Sequence, residues 1–154
     1  MQTLTITPPA GFEVDFNENS REIKFKKASK DIMDQIQSVE DAIDFLGKSD
    51  EDVIILQKLQ QVFSDDSHPV NHQKAIVLTK AFNEGWVPDW DNTKQVKYYP
   101  WFEMGGSSGF RFFDCGYQRS FSHVGSRLCF KSDKLAEHAG KKFTDIYKQF
   151  MLIK

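Results

Sequence analysis

The stretch Val96-Lys97-Tyr98-Tyr99-Pro100-Trp101-Phe102-Glu103, followed after a glycine–serine link by Phe110-Arg111-Phe112-Phe113-Asp114-Cys115-Gly116-Tyr117, decides the fold class. Aromatic side chains fit a pleated surface, so both runs read as strands, Val96–Glu103 and Gly109–Tyr117. The link Gly105-Gly106-Ser107-Ser108-Gly109 reads as a mobile hairpin loop. It resembles a phosphate loop in composition only, since it lacks the Lys-Ser/Thr ending and leads into a strand. In strict alternation Val96, Tyr98, Pro100 and Phe102 share one face, and Lys97, Tyr99, Trp101 and Glu103 the other. On the second strand Phe110 and Phe112 share a face, opposite Arg111, Phe113, Cys115 and Tyr117. Pro100 lacks a ladder donor, which predicts an edge strand or a bulge there.

Working outward, Arg127–Phe130 predicts a third strand, and Ser132 caps a last helix with Asp133 at its positive end. Ala136, Ala139, Phe143, Ile146, Tyr147 and Phe150 form the apolar stripe of that helix. Gly140 either weakens the helix or lets a neighbour pack close. Upstream, Ser38-Val39-Glu40-Asp41 predicts a capping box with Asp at its last position, and Gly47 stops the helix it opens. Ser49 or Asp50 caps a second helix striped by Val53, Leu56, Leu59, Gln60 and Phe63. A third spans about Asn71 to Glu84, burying Ala75, Leu78, Thr79 and Phe82, and ends at Gly85. Pro88 keeps Val87 out of the helical region, in a corner whose two tryptophans, Trp86 and Trp90, read as a core plug. Before all this, residues 3–7, 12–15 and 22–26 predict three short strands with turns at Pro8–Gly11 and Asn17–Ser20.

The reading is therefore an α+β fold in a single domain of 154 residues. A small N-terminal β element covers 1–30 and a helical segment 31–85. A C-terminal antiparallel β-meander packed on a C-terminal helix covers 86–154.

Composition narrows the classes of function. The N-terminus lacks the basic region of a secretory signal, and no apolar run approaches the roughly 20 residues of a membrane span. Two cysteines, Cys115 and Cys129, make no disulfide framework and read as reduced thiols of a cytoplasmic protein in adjacent strands. The net charge of −2 hides a division. Residues 1–93 carry nine basic and 17 acidic side chains, a net −8, and residues 94–154 carry 11 and five, a net +6. A basic, aromatic second half suits a nucleic-acid surface, and it equally suits an acidic first half lying against it.

The candidate binding residues follow: Tyr99, Trp101, Phe113 and Tyr117 as a stacking platform, with Lys97, Arg111 and Arg119 near phosphates or acidic groups. The plainer alternative is that the first half or a second subunit covers this second aromatic face. Cys115, His123, Cys129 and His138 contain no close pair, so no metal site is expected, and nothing calls for a cofactor. No catalytic residue is assigned. Ser120, Ser122 and Ser126 flank His123 without a nucleophile-elbow pattern. Asp89 and Asp91, with His123, are the residues of a rival small-enzyme reading, against which Asp89 simply caps the turn after Pro88.

Some of these residues also carry a resemblance. Pro9-Ala10-Gly11-Phe12-Glu13-Val14-Asp15 with Ile23-Lys24-Phe25-Lys26-Lys27, Gly85-Trp86-Val87-Pro88-Asp89-Trp90, and Arg127-Leu128-Cys129-Phe130-Lys131-Ser132 are three of its segments. With Leu135-Ala136-Glu137, Ala139-Gly140-Lys141 and Phe143-Thr144-Asp145-Ile146-Tyr147, they resemble small uncharacterised proteins of Bacteroides-type bacteria and their phages. The resemblance implies an accessory product of a phage or mobile element and brings no catalytic residues with it. Ala10, where Glu is more usual, and Val87, where a basic residue is common, depart from the pattern. The function expected is a non-enzymatic binding or accessory protein. Its partner would be a protein, itself included, or single-stranded nucleic acid, and not a membrane.

Overall fold

The structure, a computed structural model, describes residues 6–9, 12–17, 21–27, 31–107 and 109–153. The chain forms an α+β protein of two compact units, residues 1–31 and 32–154. In the first, β1 (Phe12–Asn17) pairs antiparallel with β2 (Glu22–Lys27). Opposite pairing of Val14 with Phe25 and of Phe16 with Ile23 puts four exposed apolar side chains on one face of this ribbon. The strand predicted over residues 3–7 lies largely outside the described residues, and 6–9 carry no regular structure.

The second unit is built around one buried helix. Short α1 (Ile32–Gln35) leads into α2 (Val39–Leu46). Ser38 Oγ accepts from the Asp41 amide at 3.1 Å, and the Asp41 carboxylate accepts from the Ser38 amide at 2.9 Å, which closes the predicted capping box. Asp50 caps α3 (Glu51–Val62) through the Asp52 amide. Then α4 (His68–Asn83) runs through the centre, with Val70, Ala75, Val77, Leu78, Ala81 and Phe82 buried on several sides. It starts three residues before the predicted Asn71 because Pro69 fits the first turn of a helix.

After the corner at 84–96, β3 (Lys97–Glu103) and β4 (Arg111–Gln118) form an antiparallel hairpin. The predicted third strand is reduced to a short 3₁₀ turn over Ser126–Leu128 and a single bridge between Phe130 and Tyr98. That bridge explains Pro100. Tyr98 and Phe130 exchange both backbone bonds, at 3.0 and 2.7 Å, so the polar groups of Tyr98 point away from β4. Pro100, two residues on, points the same way, and its missing N–H falls outside the β3–β4 ladder. Pro100 thus lies on an edge strand of a two-stranded sheet, and a register shift follows it directly at Trp101 and Phe102, as expected. Cys115 and Cys129 are both free and lie on opposite flanks of β3, which corrects the expectation of adjacent strands.

The last helix is two: α5 (Asp133–Lys142), capped by Ser132, and α6 (Thr144–Met151). Thr144 Oγ1 takes the carbonyls of Gly140 and Lys141 at 2.6 and 3.0 Å, and Phe143 leaves helical geometry at the joint. Phe143 and Tyr147 both reach the core, where the Phe102 ring lies 4.7 Å from Tyr147 and 4.9 Å from Phe110. A side chain at Gly140 would overlap Phe112 and Pro100, so this glycine is the point of closest approach between helix and hairpin. Among the described residues no helix is long and apolar enough to cross a membrane.

Candidate functional site

The helices cover one face of the hairpin and leave the other open. Trp101 is 56% exposed, Phe113 65%, Tyr117 69% and Phe121 88%. Of the coverings considered, the acidic first half or a second subunit, the helices of 32–83 leave these rings exposed. The helices α2 and α3 pack on α4, and the helix packed on both hairpin strands is α5.

A bulge determines which side chains reach the open face. Trp101 pairs with Asp114 but Phe102 pairs with Phe112, so Phe113 is an extra residue in β4. Strict alternation therefore fails at this point. Phe113 and Asp114, consecutive in sequence, both line one hollow beside Tyr99 and Trp101. Beyond the bulge the parity is reversed. Cys115 turns to the helix side, where its Sγ donates to the Asp133 carbonyl at 3.6 Å. Burial, then the nearby Glu137, push its thiol up to about 11. Tyr117 stands opposite Tyr98 at the outer edge of β4, which corrects its predicted face, although it still borders the hollows around Tyr99.

Tyr99 is the centre of the face, and only 8% exposed. Its ring lies directly over Gly116, where any side chain would overlap it. It stacks on Trp101 at 6.1 Å and meets the edge of His123 at 6.5 Å. Three hollows adjoin it. One of about 360 Å³ is walled by Trp101, Phe113, Asp114 and Tyr117, and one of about 470 Å³ by Tyr117, Arg119, Phe121 and His123. One of about 300 Å³ is lined by Trp101, Met104, Val124 and Met151.

The predicted cations are placed differently from the aromatics. Lys97 is fully buried and presents no charge to a ligand, a correction to its predicted role. Its ammonium donates to the carbonyls of Asp89 and Gln95 and sits 5.0 Å from the centre of the Trp90 ring. It holds the 84–96 corner closed from inside. Arg111 is tied to Glu103 at 2.6 Å. Arg119 alone of the three predicted cations adds charge to the hollows. Other basic groups of the second half meet acids of the first, Arg127 with Asp52 at 2.7 Å and Lys131 with Glu84.

The residues of the rival reading do not share a hollow. The Asp89 carboxylate accepts from the amides of Asp91 and Asn92 at 3.0 and 3.2 Å, closing a turn. The two hollows lined by His123 contain neither aspartate. Among the described residues no three His, Cys, Asp or Glu side chains are grouped as metal ligands would be.

Compared with protein-family models, with curated proteins and with solved structures, the chain matches none of them. Fold and site together define a class only: an α+β protein carrying an uncovered aromatic face on a hairpin.

Proposed function

We propose that this chain is a non-enzymatic binding protein that docks a partner protein on the aromatic face of its hairpin. We place it, on the resemblance of its motifs, among the cytoplasmic accessory products of phages or mobile elements. The observation that supports the reading is the exposure of Trp101, Phe113, Tyr117 and Phe121 around a nearly buried Tyr99. Rigid aromatic side chains in a fixed cluster supply contact area at little cost in conformational entropy. A protein partner is favoured over single-stranded nucleic acid by the charge around the rings. Phosphate binding asks for several free cations, whereas Lys97 is interior and Arg111 is neutralised by Glu103.

The test is site-specific photocrosslinking in cells that naturally express the chain. A photoreactive residue replacing Phe113 is expected to give one discrete protein adduct, competed by excess unmodified chain and lost with Trp101→Ser. The same probe at the exposed Lys58 of α3 is expected to give none. Absence of an adduct at 113 would overturn the reading. Tight binding of single-stranded oligonucleotides that falls steeply with salt would replace it with the nucleic-acid reading.

A further inference from the structure

The hollow of about 360 Å³ has a chemistry that selects its occupant. Its walls include four aromatic rings, Tyr99, Trp101, Phe113 and Tyr117, and among the described residues its single charged group is the carboxylate of Asp114. Among the described residues no basic side chain lines it. One Asp114 oxygen is engaged by the Cys115 amide at 2.8 Å, which fixes the carboxylate at the rim. Ring faces carry negative electrostatic potential, and a carboxylate adds to it, so the hollow favours an organic cation over an anion or a neutral apolar group. The chain already places its own cations on rings in this way, Lys97 on Trp90 and Lys141 on Phe112 at 5.6 Å. The arrangement depends on two local features. Gly116 lets the Tyr99 ring lie flat as the floor, and the bulge brings Phe113 and Asp114 to the same side.

We infer that this hollow captures a basic side chain, arginine or lysine, projecting from an extended segment of the partner protein. The inference rests on the reading of the face as a partner surface and names the group it recognises. A polypeptide segment suits the site because the hollow is continuous, through Tyr99 and Tyr117, with the larger one that holds Phe121 and Arg119. A chain crossing both would leave one basic side chain between the rings and could offer an acidic or apolar group to Arg119.

The test uses the full chain and short capped peptides in which a central arginine or lysine is flanked by glycines. Their neutral counterparts carry citrulline or norleucine. The readout is the indole N–H resonance of Trp101, assigned with Trp101→Phe, which leaves Trp86 and Trp90. The arginine and lysine peptides are expected to shift that resonance saturably, and the neutral counterparts to bind about tenfold more weakly. Asp114→Asn and Phe113→Leu, both at exposed positions, are each expected to weaken the basic peptides several-fold. Equal binding of norleucine and arginine peptides would overturn the cation assignment and leave the face a peptide surface. Saturation by tetramethylammonium with no response to either basic peptide would overturn the polypeptide source. Loss of the crosslink at Phe113 would be the separate failure of the underlying reading.

Discussion

Lys97 shows how one side chain can be misjudged from its position in a strand. Alternation puts it beside Tyr99 and Trp101, and its charge suggests a surface role, yet it is fully buried. Its ammonium is solvated by two backbone carbonyls and an indole face rather than by water. Lys97→Met keeps the stem and removes the donors, leaving the carbonyls of Asp89 and Gln95 unsatisfied. The expected cost is about 1–3 kcal/mol, measured by chemical denaturation with Trp fluorescence as the probe. Asn83 works in the same manner from α4. Its side chain donates to the Cys129 carbonyl at 2.9 Å and accepts from the Lys131 amide at 3.0 Å, holding the backbone on both sides of Phe130. Asn83→Ala orphans one buried and one half-buried backbone group, with an expected loss of about 1–3 kcal/mol.

At the scale of elements, the joint between α5 and the hairpin has no slack. A methyl group at Gly140 would overlap Phe112 and Pro100, neither of which can swing away freely. Gly140→Ala raises helix propensity, but overpacking outweighs it, so a net loss of about 1–3 kcal/mol is expected in the same denaturation assay. The helix starts give a pH dependence. Bonds from the Gln37 and Ser38 amides and the Ser38 hydroxyl hold Asp41 below the ordinary carboxylate range. Burial pushes Asp50 up, but the bond from Lys80 and the Asp52 amide outweigh it and hold it low. Lys74, then Gln60, hold Asp65 low. A depressed carboxylate stabilises the fold above its unfolded value, and that contribution is lost as pH falls through the folded value. The contribution of these three carboxylates is therefore expected to be constant above their unfolded value and to fall below about pH 4. Burial holds His72 below its ordinary value, so that stability is expected to begin its decline already below about pH 6.5. Denaturation midpoints at several pH values check this. Asp41→Asn should flatten the acid limb in part, since Asn keeps the acceptor and has no charge to lose.

Over the whole molecule, the division between an acidic first half and a basic second half is partly internal bookkeeping of charge. Arg127 meets Asp52 and Lys131 meets Glu84. These contacts account for some of the excess that a composition count would offer to nucleic acid. Helix starts, the apolar stripes and the hairpin were legible in the sequence, because a cap or a period of 3.6 or 2 is a local property of consecutive residues. Ser38, Asp50 and Ser132 each act as the caps their neighbours require. The break at Phe143 was not legible, since the stripe continues through it and only packing rewards bringing both Phe143 and Tyr147 inward. The open face was legible in its residue types but not in its membership. The bulge at Phe113 reverses the parity of everything beyond it, and nothing in residues 110–117 announces an extra residue. Sequence alone thus determined that two aromatic strands would pack one face on helices, because burial of alternate side chains requires it. Tertiary structure decided what the other face contains. Register, a flat Tyr99 over Gly116 and an inward Lys97 are set by contacts between residues distant in the chain, and they leave the hollow beside Asp114 walled by aromatic rings, with no basic side chain among the described residues.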